Sequence, residues 1–357
     1  MLKIIPPLSL LDKHLISKYL LEEDHVQKFS VKQKVYYSFV RPILPISVRQ
    51  KLQEKVNAGI QYNKDFINDE FVEIVTKLRS DKVTEPKTEE SSERSEDGHK
   101  RTEVCELKTE NPGLNIVKFK YKIDKDCAVV LTHDVEEQHG FDFIPKVIEL
   151  EEKYGFKSSW NIVPYKYRID DGIINYIKQN GHEIGIHGYN HDGKLYYSEK
   201  IFNERVPFIN EAIKKYGAVG FRSPQVHRNL IWLQKLNIDY DASCFDYDPF
   251  QPFPGGTGSI WPFMAGKFVE LPYTLPQDHT MFYVLKQKDI SIWKNKADWV
   301  AKNRGVILAL THPDYLMEKN HLELYEALLK YLKTFENAWF CLPKEMAVWW
   351  RGFSSEK

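Results

Sequence analysis

No stretch of this chain approaches the roughly 18 uninterrupted apolar residues that a membrane-spanning helix needs. Its start, MLKIIPPLSLLDKHL, has neither the apolar run nor the small-residue cleavage site of a secretory signal. Cysteine is scarce: Cys105, Cys127, Cys244 and Cys341 lie far apart, with no CxxC pair and no dense framework. They read as buried thiols of a reducing compartment, and a cytoplasmic location is expected. Charge of neither sign prevails. The chain has 50 Lys and Arg against 50 Asp and Glu, so no global field draws it to nucleic acid. There is no internal repeat.

What is present is a change of composition near Ser80. Residues 81–112 are charged, Ser-rich and nearly free of aromatics. Such a segment buries too little apolar surface to offset its ordering entropy and reads as a flexible linker. It separates a helical N-terminal region, 1–80, from a main domain, 113–353, which is expected to fold without that region. In the N-terminal region Phe66, Ile67, Val72, Val75 and Leu78 share one helical stripe. Ten Lys and Arg face five Asp and Glu between Met1 and Ile60, interleaved with Tyr36, Tyr37, Phe39 and Leu44. The bland interpretation, a helical hairpin packed on the main domain with a solvated basic face, is preferred. The sharper one is peripheral contact with anionic lipid or a lipid-linked substrate.

After the linker, β-rich runs recur: CAVVLTHD, SSWNIVP, HEIGIH, AVGFRSP, IDYDASC, FVELPYTL and GVILALTHP. Helical segments such as GFDFIPKVIELEEKYG and DGIINYIKQNG separate several of them, which indicates parallel βα units closed into a barrel-like α/β domain. The runs end in chemically capable residues: Asp134 and Glu136, His187 and His191, Arg222, Asp241 and Asp246, and His312. A capping aspartate or a core histidine explains any one of these. Repetition at the carboxyl ends of five strands, where α/β barrels keep their sites, is harder to explain that way. His187 and His191 plus one carboxylate make a three-ligand N/N/O set of the catalytic-zinc kind, and the second carboxylate then suits a general base. HEIGIH is not the helical HExxH of a zincin. The pairs His133-Asp134 and His191-Asp192 sit at strand ends, not on the helices of HD phosphohydrolases.

In this order the motifs resemble the polysaccharide deacetylases of carbohydrate esterase family 4, the NodB-homology domain, over about Cys127 to Trp350. LTHDVE is similar to the first motif, HGYNH to the second, FRSPQ to the third and LTHP to the last. The resemblance implies a distorted (β/α)7-type barrel and removal of N-acetyl groups from a sugar or polysaccharide with a divalent metal, Zn2+. It implies Asp134 as base, Glu136, His187 and His191 as metal ligands, Arg222 orienting the base and His312 as general acid. The first motif departs from adjacent aspartates: Val135 stands second and Glu136 third, so the two carboxylates could exchange roles. The fourth motif falls on Asp241, Asp246 or Asp248, with Asp241 or Asp246 expected to raise the pKa of His312. Gln225 stands where an aromatic is common, and it is grouped with Trp261, Tyr273, Asp278 and His279 as lining for the substrate cleft. Two rivals remain open: a cytoplasmic amidase of the same fold acting on a small cyclic amide or ureide, and an inactive binding module.

Overall fold

In the computed structural model the described residues are 13–20, 29–41, 61–80, 106–107, 116–117, 125–253 and 255–355, with scattered positions between 43 and 60. The expected linker, 81–112, lies outside them except for Glu106–Leu107, which pairs antiparallel with Ile116–Val117.

The main domain is built on a nine-stranded sheet. Its strands are β1 (Cys127–Val135), β2 (Ser158–Ile162), β3 (Glu183–Ile186), β4 (Gly220–Phe221), β5 (Tyr240–Asp241), β6 (Phe263–Ala265), β7 (Phe268–Glu270), β8 (Val306–Thr311) and β9 (Ala338–Phe340). The order is β8-β1-β2-β3-β4-β5-β7-β6, with β9 beside β1. Every pairing is parallel except the β6–β7 hairpin. β8 takes one edge of β1, while β9 and β2 share the other. Val306 N donates to Ile260 O (2.9 Å), and Leu308 O accepts from the N–H groups of Thr274 and Leu275 (both 3.1 Å). These bonds draw segments flanking the hairpin onto β8 and close the sheet into a distorted barrel.

All nine positions of β1 are buried, as a strand covered on both faces requires. The helix after it, α2 (Gln138–Lys153), turns Phe141, Ile144, Val147 and Ile148 inward at spacings of three and four. All seven strand regions expected from the sequence are present; β6 and β9 were not foreseen. The β6–β7 turn runs through Gly266-Lys267, with Gly266 at φ 65°.

The N-terminal region is not set apart from this core. Phe66 and Phe71 are fully buried, and Val72 and Val75 nearly so, on or just before α1 (Glu70–Ser80). Tyr62 packs on Phe250 with centroids 5.0 Å apart, and the buried Lys296 Nζ donates to Phe66 O at 2.6 Å. Phe29 meets His227 and Phe253 edge-on, at 5.0 and 5.1 Å. Among the described residues no helix is long and apolar enough to cross a membrane.

Candidate functional site

Alternation along β1 sorts its polar residues. Thr132 and Asp134 face Arg222 inside the barrel. His133 faces the other way, stacked on Trp160 at 4.1 Å and held by Glu151 (2.7 Å) and Thr311 (2.8 Å). The His-Asp dipeptide there is thus split between two layers and forms no joint site.

Just past β3, His187 donates from Nδ1 to Arg222 O at 3.0 Å, and its Nε2 is buried with no hydrogen-bond partner among the described residues. The loop then doubles back through Gly188, at φ 71°, where an added Cβ would fall 2.3 Å from Pro224 Cγ. That return brings His191 Nε2 to 3.0 Å from Glu136 Oε1. Glu136, His187 and His191 each offer one ligand atom, all within 4.8 Å of one another. Burial drives the His187 pKa down to about 4, so its ring is neutral. Burial alone would raise Glu136, but the surrounding histidines, His191 foremost, hold it well below the usual carboxylate value. A neutral imidazole fixed through Nδ1 by a backbone carbonyl, grouped with a second histidine and an ionised carboxylate, fits a divalent cation. Gln225 Nε2 donates to His191 at 3.0 Å.

Asp134 stands beside this set rather than in it. Its Oδ1 accepts from Asn161 Nδ2 (2.8 Å), and Arg222 Nε lies 3.8 Å away. Burial pushes its pKa upward, but His187, Arg222, His312 and Asn161 together hold it below the ordinary value. Arg222 is itself fully buried, with Nη2 donating to Thr132 Oγ1 at 3.0 Å and its Nε and Nη1 carrying no hydrogen bond among the described residues.

His312, which follows β8, donates from Nδ1 to Asp278 Oδ1 and from its backbone N–H to Asp278 Oδ2, both at 2.6 Å. Burial opposes its charge, yet Asp278 outweighs burial and lifts the pKa to about 10. Its Nε2 points toward Glu136, 3.9 Å away. The partner expected for His312 therefore needs correction: it is Asp278, expected as cleft lining, and neither Asp241 nor Asp246. Asp246 is paired with the buried Lys296. Asp241 accepts from Ser243 N (3.1 Å) and Oγ (2.8 Å), and burial, with the Asp241 carboxyl beside it, pushes the pKa of neighbouring Glu270 well up. Asp248 accepts from Phe250 N at 3.0 Å and Gln251 Nε2 at 2.7 Å within its own loop.

Two expected cleft residues also change place. Trp261 is buried and donates to Arg304 O at 3.0 Å, before the start of β8 and so at the opposite end of the barrel. Tyr273 is buried beneath Arg222, its ring centroid 5.8 Å from the guanidinium, and its hydroxyl accepts from Gln277. Both pack the core. His279 sits against Tyr283 and Tyr315, centroids 5.9 and 5.8 Å away.

Sequence reasoning missed Asn161 and Asp314. Asn161 is paired in register with Asp134 across β1 and β2; a polar residue within the buried run SSWNI was its signal. Asp314 accepts from the backbone N–H groups of Glu136 (2.9 Å) and Glu137 (3.1 Å), fixing the turn that carries the Glu136 carboxylate. Gly140 makes room for it, since a Cβ there would lie 2.3 Å from Asp314.

With this geometry described, comparison with known proteins adds an independent line. No family model matches the chain. Over 243 residues it is 23% identical to the peptidoglycan deacetylase of Helicobacter pylori (strain ATCC 700392 / 26695), covering 57% of this chain and 82% of that protein. In sequence the chain is thus similar to a deacetylase of the peptidoglycan type. The barrel superposes on a putative polysaccharide deacetylase from Mycobacterium smegmatis with a TM-score of 0.54 at 16% identity, covering 66% of this chain and 93% of that one. A probable polysaccharide deacetylase from Pseudomonas aeruginosa PAO1 gives 0.53 at 14% identity, over 65% and 93% of the two chains. Puue allantoinase gives 0.50 at 15%, over 66% and 94%. The polysaccharide deacetylase fold therefore also carries an enzyme of another name, and the fold alone does not select the substrate.

Proposed function

We propose that the protein is a metal-dependent hydrolase that removes N-acetyl groups from a carbohydrate. The observation that carries this reading is the convergence of Glu136, His187 and His191, whose ligand atoms lie within 4.8 Å of one another, with an ionised Asp134 3.7 Å from His187 and a protonated His312 3.9 Å from Glu136. Glu136, His187 and His191 would hold the ion, for which the N/N/O donor set suits Zn2+. Bound there, the ion polarises a carbonyl oxygen and acidifies a water toward a pKa of about 7.

The remaining chemistry belongs to the chain. Asp134 accepts the proton of the attacking water, and Arg222 and Asn161 keep it ionised and oriented for this. His312, charged because of Asp278, gives a proton to the departing amine, without which the amide re-forms. Gln225, whose Nε2 lies 3.3 Å from His191 Nδ1, would hold that ring.

The test is acetate release from soluble N-acetylated sugars and oligosaccharides by zinc-loaded protein, with small cyclic amides and ureides as the competing panel. Acetate release that Asp134→Asn abolishes while metal is retained supports the reading. Turnover confined to the cyclic amides would replace it with the amidase alternative. Metal binding without any turnover would point to a binding module.

A further inference from the structure

The segment that packs against the metal-bearing loop has a second face, turned to solvent. The helical turns Val31–Val35 and Tyr36–Val40 run continuously. Their inner side seats Tyr37 against Gly193, where an added Cβ would lie 2.4 Å from the ring, and against His227 at 5.7 Å. At the end of the turns Arg41 Nη1 donates to the backbone carbonyl of His191 at 3.3 Å. The outer side is apolar: Val31 is 79% exposed, Val35 47%, Phe39 71% and Ile43 79%. These positions are four apart and fall on one stripe. Val48, Leu52 and Val56 repeat the same spacing and are also exposed.

Single exposed apolar residues are ordinary, but a line of them rimmed by charge is not. Here the rim is basic. Residues 29–60 contain six Lys and Arg and one acid, Glu54, and Lys32, Lys34 and Lys55 are exposed beside the stripe. The core of a protein–protein interface is depleted in lysine. An apolar stripe interleaved with lysines is instead the pattern of a helix lying in a lipid headgroup region, with side chains in the acyl boundary and ammonium groups on phosphates. We propose that the turns Val31–Val40 dock the protein on an anionic bilayer surface, with Val31, Val35, Phe39 and the following Ile43 inserted and Lys32 and Lys34 on headgroup phosphates. Through Tyr37 and Arg41 the docked segment is joined directly to the loop that carries His191, so the catalytic cleft is held at the bilayer. This inference does not depend on which amide the site cleaves.

The experiment is flotation of the full-length protein with vesicles of phosphatidylcholine alone and of an equal mixture with phosphatidylglycerol, at low and high salt. The wild type is expected to float with the mixed vesicles, less at high salt, and not with phosphatidylcholine. The Val35→Ser/Phe39→Ser/Ile43→Ser variant should bind at least about tenfold more weakly, with unchanged thermal melting and metal content. Phe39→Ser alone should show a smaller loss in the same direction if the triple variant folds poorly. Failure of the wild type to bind mixed vesicles at either salt, or equal binding by the variants, overturns the proposal. Concentration-dependent self-association that the triple variant abolishes, without vesicle binding, would instead make this face an interface between two copies. Because lipid binding is read without substrate, its failure leaves the hydrolase reading standing, and the reverse holds too.

Discussion

His187 and His312 are two buried histidines in one cleft that the protein drives in opposite directions. His187 has a backbone carbonyl on Nδ1, and burial outweighs the nearby Asp134 carboxylate, so its pKa falls to about 4 and it is neutral, the state that metal binding would need. His312 has the Asp278 carboxylate on Nδ1, so its pKa rises to about 10 and it holds a proton to give. Two outcomes follow at this scale. His187→Ala should weaken zinc retention by more than the roughly 10- to 100-fold that losing an outer-shell partner costs, measured by equilibrium dialysis against a chelator. Undiminished binding would remove His187 from the ligand set. Asp278→Asn should act on pH. An acid must be protonated, so activity is lost as pH rises through the His312 pKa; removing the charge that raises this pKa should move the alkaline limb of the rate profile to lower pH by roughly 1–3 units. Metal content should not change, and an unmoved limb would mean that Asp278 serves only to hold the backbone of His312.

At the level of elements, β3 is tied at its start as well as leading at its end into His187 and His191. β3 begins with Glu183, whose carboxylate accepts from Tyr240 OH on β5 (2.7 Å) and from Lys344 N (3.2 Å) in helix α7 (Pro343–Ser355). Burial is the main cause that raises its pKa to about 7. A folded-state pKa above the unfolded one means that the group's contribution is fully present below about pH 4.5 and is lost as pH rises through about 7. Glu183→Gln keeps the shape and one of the two acceptor oxygens without the charge. It should be more stable than the wild type above pH 7, by an amount on the order of 3 kcal/mol or less, and the gain should vanish near pH 4.5. Thermal melts of both proteins across that range check this, and a gain independent of pH would locate the effect in packing rather than ionisation.

For the whole molecule, the boundary near Ser80 marks a change of composition more than a seam in the packing. Phe66, Phe71, Val72 and Val75 are buried with the barrel's own residues, and Lys296, buried on the helix Ser291–Lys302, has Phe66 O and Asp246 as hydrogen-bond acceptors. Removing residues 1–80 should therefore expose the partners of four apolar side chains, worth about 1.5–3 kcal/mol each when fully buried, and leave Lys296 short of an acceptor. We expect the truncated protein to melt roughly 10 °C or more below the full chain, or to fail to fold. A cooperative transition at the full-length temperature would mean that the barrel stands alone.

The sequence by itself determined the strand–helix alternation, the seven strand regions it carried, and the four motifs that place Asp134, Glu136, His187, His191, Arg222 and His312 at one end of the barrel. These features are local. A buried parallel strand must be apolar along its length, so a polar residue at its end stands out, and the spacing of HGYNH is short enough to read directly. The tertiary structure alone decided which aspartate serves His312. Asp241, Asp246, Asp248 and Asp278 look alike in sequence, and their roles depend on which loop closes on β8; Asp278 arrives there because Thr274 and Leu275 hydrogen-bond to Leu308. The fates of Trp261 and Tyr273 were equally non-local, since an aromatic in a loop packs a core or lines a cleft according to what covers it. The same holds for Asn161, chosen by strand register, and for Asp314, whose approach depends on an absent side chain at Gly140. Chemistry-bearing residue types are written in the chain, but their partners are set by contacts between residues far apart in sequence.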